Sequence, residues 1–299
     1  MGGGKLQVDD IQLSDITRGD DYLIAISRML NQLATQLVKL RFLSNVIEYK
    51  GKSLFGNFDY IPPTRFKLPR MMSKLRLFRN DLVDIFRCSD DLFESMSAME
   101  TLLIGDINRH PRFVNKILRN VCSAKMIWPT LRNLRIVELH DPQLLEGLQE
   151  AFPNLVKLTV DTRHAADFRR LNTTMKLPFV LPACLGWEGL KHLNLALPRY
   201  PEKIVDVIKI LLDCKDLLTQ LKTFQITKYE SCSVYSDLTE GELDLFKELL
   251  SAMNGMEEVE LCQFYLSQRT VKTMLAFMKT NKISRIRIIQ DGKILHDID

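Results

Sequence analysis

Residues 187–195 read Trp187-Glu188-Gly189-Leu190-Lys191-His192-Leu193-Asn194-Leu195, and the spacing of their apolar members decides how the rest of the chain is read. Leu193 and Leu195 are two apart, so an extended backbone puts both on one face and turns His192 and Asn194 to the other. Leu190 and Trp187 precede them at steps of three. The same pattern of apolar, two variable, apolar, one variable, apolar recurs along the chain. Nine copies are read: Leu37-Leu40-Phe42, Met72-Leu75-Leu77, Met99-Leu102-Ile104, Leu134-Val137-Leu139, Leu155-Leu158-Val160, Leu190-Leu193-Leu195, Leu221-Phe224-Ile226, Met256-Val259-Leu261 and Ile283-Ile286-Ile288. Most carry a further apolar residue three places upstream, as at Met96, Leu131, Phe152, Leu218 and Met253.

Successive copies start 21 to 35 residues apart, room for one strand and one helix. The intervals have helical spacing. Pro201 to Leu218 carries Ile204, Val205, Ile208, Leu211 and Leu212 at three- and four-residue steps. Thr239-Glu240-Gly241-Glu242 is a capping box before Leu243, Phe246, Leu249 and Leu250, and Asn254-Gly255 supplies a stop. Asp141-Pro142 and Ser267 open two more helices. Further helix candidates are His110-Pro111 to Val121 and Asn80 to Met96.

Strand and helix alternating at this period predict an α/β solenoid, a horseshoe in which a curved parallel sheet forms the concave side and helices the convex side, with about nine irregular repeats. A doubly wound sheet would bury both faces of its strands. Here alternate strand positions are repeatedly charged: Lys39 and Arg41, Lys74 and Arg76, Lys157, Glu258 and Glu260, Arg285 and Arg287. One face must therefore meet water. Residues 1–20 are expected to be a flexible start and 21–299 the solenoid. Arg285–Gln290, Asp291-Gly292 and Lys293–His296 form a hairpin cap near 285–297 over the last sheet edge.

The segments Leu131–Leu139, Phe152–Val160 and Trp187–Leu195 resemble leucine-rich repeats, and the resemblance covers most of Leu37 to Ile288. The long uneven coils are similar to the divergent repeats of F-box and leucine-rich-repeat proteins, the substrate receptors of cullin-type (SCF) ubiquitin ligases. The resemblance thus implies a substrate-recognition subunit with cullin-ligase components among its partners, or a relative that lost the F-box. Two features depart from the pattern. The usual Asn or Cys eight places after the first Leu is replaced by Ile107, Pro142, Arg163, Pro198, Tyr229 and Phe264, and Ile11 to Leu40 lacks the Leu-Pro opening and Trp-bearing close of an F-box.

If the fourth and sixth repeat positions fill the core, the residues between and beside them face the concave side. The expected partner-binding residues are Lys39, Arg41, Lys74, Arg76, Glu138, His140, Lys157, Thr159, His192, Asn194, Thr223, Gln225, Glu258, Glu260, Arg285 and Arg287. The same frame adds Phe78, Thr101, Leu103, Ile136, Asp161, Thr227 and Cys262. Nine strands would extend this face over roughly 40 Å, enough for a protein interface of about 800 Å² per side. A noncatalytic protein-binding scaffold is the expected function.

The 299 residues are 46% hydrophobic, enough for a sizeable core. A net charge of +4 is too mild to name an anionic partner, yet residues 39–79 hold ten basic residues against Glu48 and Asp59. They interleave with Phe42, Tyr49, Phe55, Phe58, Tyr60, Phe66 and Phe78, so the alternative reading is nucleic-acid or polyanion binding through this segment. The loop from Asp161 to Arg170 is a second charged candidate. Six cysteines occur singly, which argues against a disulfide framework and for a reducing cytoplasmic or nuclear setting. No apolar run approaches the length of a membrane span. The 13 glycines form no phosphate loop or nucleophile elbow, and no paired-His motif is present, so no catalytic residue, metal or cofactor is expected.

Overall fold

The computed structural model describes residues 8–14, 20–43, 68–69, 71–81, 96–106, 111–162, 176–197, 203–228, 235–291 and 293–295. The strands are β1 (Asp10–Leu13), β2 (Lys39–Phe42), β3 (Leu77–Asn80), β4 (Thr101–Ile104), β5 (Asn133–Val137), β6 (Lys157–Asp161), β7 (His192–Leu197), β8 (Thr223–Lys228), β9 (Glu258–Cys262), β10 (Ile286–Gln290) and β11 (Lys293–Ile294). The helices are α1 (Asp20–Leu33), α2 (Pro111–Ser123), α3 (Gln143–Ala151), α4 (Leu177–Cys184), α5 (Ile204–Asp213), α6 (Lys215–Gln220), α7 (Glu240–Met253) and α8 (Gln268–Thr280).

The eleven strands make one open sheet in chain order. β1 to β10 run parallel, and β11 returns antiparallel with Ile289 opposite Ile294. Sequential neighbours rule out the doubly wound alternative, whose strand order is rearranged. The β10–β11 turn passes through Asp291 at φ +49, as expected of a tight hairpin turn.

The register aligns the apolar residues into columns. Leu40, Phe78, Leu102, Leu134, Leu158, Leu193, Phe224, Val259 and Ile286 face one another across successive strands, and all are buried. Leu37, Leu75, Met99, Leu131, Leu155, Leu190, Leu221, Met256 and Ile283 form a second buried column, with Met72, Met96, Trp128, Phe152, Trp187, Leu218 and Met253 behind it. They join the buried sides of the helices in a single core. Because that core lies on one sheet face only, the helices do too. Among the described residues the opposite face is left open.

Two copies of the pattern sit three residues away from the expected frame. In β3 the core column takes Leu75, Phe78 and Asn80 instead of Met72, Leu75 and Leu77, and in β5 it takes Leu131, Leu134 and Ile136 instead of Leu134, Val137 and Leu139. The pattern contains two successive steps of three, so it also matches itself one step along, and only strand pairing distinguishes the frames. β1 is a further strand within the stretch expected to be a flexible start, with Ile11 opposite Leu40 and Leu13 opposite Phe42.

α7 starts at the expected capping box, where the Glu242 carboxylate accepts from both N–H and O–H of Thr239 and is thereby held below the usual carboxylate range. Ser267 caps α8 by accepting from Thr270 N–H at 3.2 Å and donates to Asp237. Ser267→Ala should lower stability by about 1 kcal/mol, read as a shift of the urea midpoint at unchanged slope. The middle of the Asn80–Met96 helix candidate, all the basic and aromatic residues between 44 and 67, and the charged loop beyond Thr162 lie outside the described residues.

Candidate functional site on the open sheet face

Two residues per strand look away from the core. Along the stack they are Asp10 and Gln12, Lys39 and Arg41, Leu77 and Arg79, Thr101 and Leu103, Asn133 and Arg135, Lys157 and Thr159, His192 and Asn194, Thr223 and Gln225, and Glu258 and Glu260. Arg285, aligned with Glu258, and Arg287 complete the row. Ten parallel strands carry it over roughly 43 Å. All of these residues are half-buried or exposed, so the face is accessible.

The slipped frames misplace four of the expected binding residues. Lys74 lies in the turn before β3, and Arg76 precedes the strand, where it pairs with Glu100 at 3.5 Å along the sheet rim. Phe78 and Ile136 belong to the core. Glu138 and His140 follow β5 and leave the face altogether. Glu138 is buried at φ +64, its N–H donates to Asp161 O at 2.6 Å, and its Oε2 lies 2.8 Å from His140 Nε2. Leu77, Arg79, Asn133 and Arg135 take the vacated places. Asp161 and Cys262, at the far ends of their strands, are buried as well.

Most charges on this face are matched locally. Arg41 pairs with Asp10 at 3.0 Å. Arg79 forks onto Asp81 with contacts of 2.8 to 3.1 Å, and this hydrogen-bonded carboxylate raises its pKa. Arg287 bridges Glu260, at 2.6 Å, and Glu258, and these bonds raise its pKa. The neutral rungs are also tied across strands: Asn133 donates to Thr101 at 3.2 Å, His192 Nδ1 lies 2.9 Å from Thr223 Oγ1, and Asn194 donates to Gln225. Gln225 in turn reaches Cys262 Sγ at 3.9 Å. Burial raises the Cys262 thiol pKa, which opposes any role as a nucleophile.

Arg135 and Lys157 are the two cations of the face that share a hollow. Both are exposed, on the adjacent strands β5 and β6, and neither has an ion pair among the described residues, which is also true of Lys39 and Arg285 on the outer strands. They border a hollow of about 690 Å³ lined by Thr101, Leu103, Asn133, Thr159, Asn194 and Gln225. Arg135 was invisible to the sequence reading because the shifted frame placed it before the strand face. A second hollow of about 150 Å³ continues from Lys157 past His192 to Glu258 and Glu260.

Among the described residues no group of three or more His, Cys, Asp or Glu is placed to hold a metal ion, and no helix is long and apolar enough to cross a membrane. No family model matches the chain, and no curated protein matches it.

Proposed function

We propose that this chain is a noncatalytic protein-binding scaffold of the leucine-rich-repeat type, and that its partner docks on the open sheet face. The observation that carries this reading is a largely polar surface ten parallel strands long with no helix over it among the described residues. Helices cover both faces of a parallel sheet in most α/β folds, so an uncovered face of this extent calls for an occupant. Its size suits a folded protein. The rungs of paired side chains make it a firm platform, since little rotamer freedom remains to be lost on docking.

The ligase-receptor role implied by the repeat resemblance is the finer form of this proposal. Residues 10–42 supply a strand, a helix and a strand of the sheet itself, so an adaptor contact has to be sought elsewhere. Co-purification of a cullin and its adaptor would support that role, and a partner complex lacking both would reject it. The described part of segment 39–79 does not favour the polyanion alternative. Arg41 and Arg79 are already held by carboxylates and Arg76 pairs on the rim with Glu100, which leaves Lys39, on β2, and Lys74, before β3, as the exposed cations of the described part without an ion pair.

The test places bulk on the face. A Thr159→Trp, Gln225→Trp double variant should lose at least about tenfold in affinity for whatever protein the wild type captures, equivalent to about 1.4 kcal/mol. Glu248→Trp, on the exposed side of α7, should leave affinity unchanged. Equal binding by all three proteins would reject the open face as the docking surface.

A further inference from the structure

We propose that the centre of the open face binds an extended acidic peptide segment of the partner, with carboxylates held by Arg135 and Lys157. This rests on the reading of that face as a docking surface and names the chemistry of what docks there. Elsewhere on the face Arg41, Arg79 and Arg287 each have an acid of this chain in contact, while Lys39 and Arg285 lack one but do not border the hollow. Arg135 and Lys157 have none among the described residues. Asp161, the acidic residue in the lining of the larger hollow, is 3% exposed and so presents little charge to solvent.

The register fixes the spacing. Asn133 faces Lys157 and Arg135 faces Thr159, so the two cations are diagonal neighbours, roughly 7 Å apart by strand geometry. In an extended peptide, side chains at positions i and i+2 lie on one side, also about 7 Å apart. An acid-x-acid segment therefore meets both cations at once and removes the repulsion between them. The guanidinium of Arg135 suits a carboxylate through paired N–H donors, while Lys157 acts as a point charge. The hollow runs from Thr101 on β4 to Gln225 on β8, about 19 Å across the strands and enough for roughly six extended residues. Asn133, Asn194 and Gln225 line that path and offer amide groups to a peptide main chain.

A nucleic acid fits less well. None of the strand residues on the open face is a Phe, Tyr or Trp for bases to stack on. A longer polyanion continuing towards β9 would run into Glu258 and Glu260.

The probe is a fluorescein-labelled peptide of alternating Glu and Ser, followed by anisotropy, with a Gln-Ser peptide and an oligothymidylate as comparisons. The Glu-Ser peptide should bind and weaken as salt rises. Its affinity should drop at least about tenfold in Arg135→Glu, Lys157→Glu, less in Arg135→Gln, Lys157→Gln, and not at all in Lys272→Glu on α8. Failure of the Glu-Ser peptide to bind, equal binding of the Gln-Ser peptide, or indifference to Arg135→Glu, Lys157→Glu would each overturn the proposal. So would tighter binding of the oligothymidylate through the same two residues. If the acidic peptide fails while Thr159→Trp, Gln225→Trp still abolishes partner capture, only the chemistry assigned here is wrong and the docking surface stands.

Discussion

Gly105→Ala should lower the unfolding free energy by roughly 3–5 kcal/mol, and the cause lies in the backbone. Gly105 follows β4 at φ +94, with its N–H donating to Asn80 O at 2.9 Å. A Cβ added there would lie 2.2 Å from the carbonyl oxygen of Val137 and 3.0 Å from Val114 Cγ2. Val137 ends β5, so the obstructing atom belongs to the neighbouring strand and no rotamer change relieves it. Positive φ adds about 1–3 kcal/mol of strain for a residue with a side chain, and displacing the packed strand adds a similar amount. Chemical denaturation measures the loss. A change below about 1 kcal/mol would mean that β4 and β5 separate far more easily than their pairing implies.

Trp187→Ala should cost about 3–5 kcal/mol, the loss typical of a large aromatic side chain removed from a core. Trp187 is 1% exposed and stands in the inner column between Phe152 and Leu218. Its Nε1–H donates to Phe152 O at 3.0 Å, linking one coil to the one before it. Trp187→Phe separates the two contributions, because the ring is largely kept and the carbonyl loses its partner. That variant should cost about 1–3 kcal/mol. Equal losses in the two variants would assign the whole effect to the hydrogen bond and leave none to packing.

The architecture was legible because one column of apolar residues repeats with few exceptions. Six of the eight α-helices among the described residues were anticipated at least in part, the last two from their caps at Thr239 and Ser267. α1 and α4 were not anticipated. α4 contains Pro178 and Pro182 and is buried on several sides, so it lacks the amphipathic spacing by which the others were found. The first strand escaped because Val8, Ile11 and Leu13, although correctly spaced, are surrounded by Asp9 and Asp10 and follow a glycine run.

The open face was legible wherever the frame was unambiguous. From β6 to β10 the expected open-face residues Lys157, Thr159, His192, Asn194, Thr223, Gln225, Glu258, Glu260, Arg285 and Arg287 lie on it. In β3 the true sixth position is a buried polar residue, Asn80, so an apolar pattern points to the wrong frame. In β5 the last strand residue, Val137, and Leu139 just beyond it are as apolar as the rest of the strand and also buried. Periodicity cannot choose between such frames, whereas the hydrogen-bond ladder does.

The connectors between strands differ widely in length, yet no register shift accompanies the change. From β5 to β6, joined by 19 residues, and from β2 to β3, joined by 34, each residue of the ladder meets its counterpart directly. Added chain is therefore absorbed away from the ladder, at a cost that grows only logarithmically, about 0.6 kcal/mol for each doubling of a flexible loop. Descendants of such a chain are free to gain or shed surface excursions while the lattice of outward-facing side chains keeps its spacing, so the outward lattice and what decorates its borders can diverge independently.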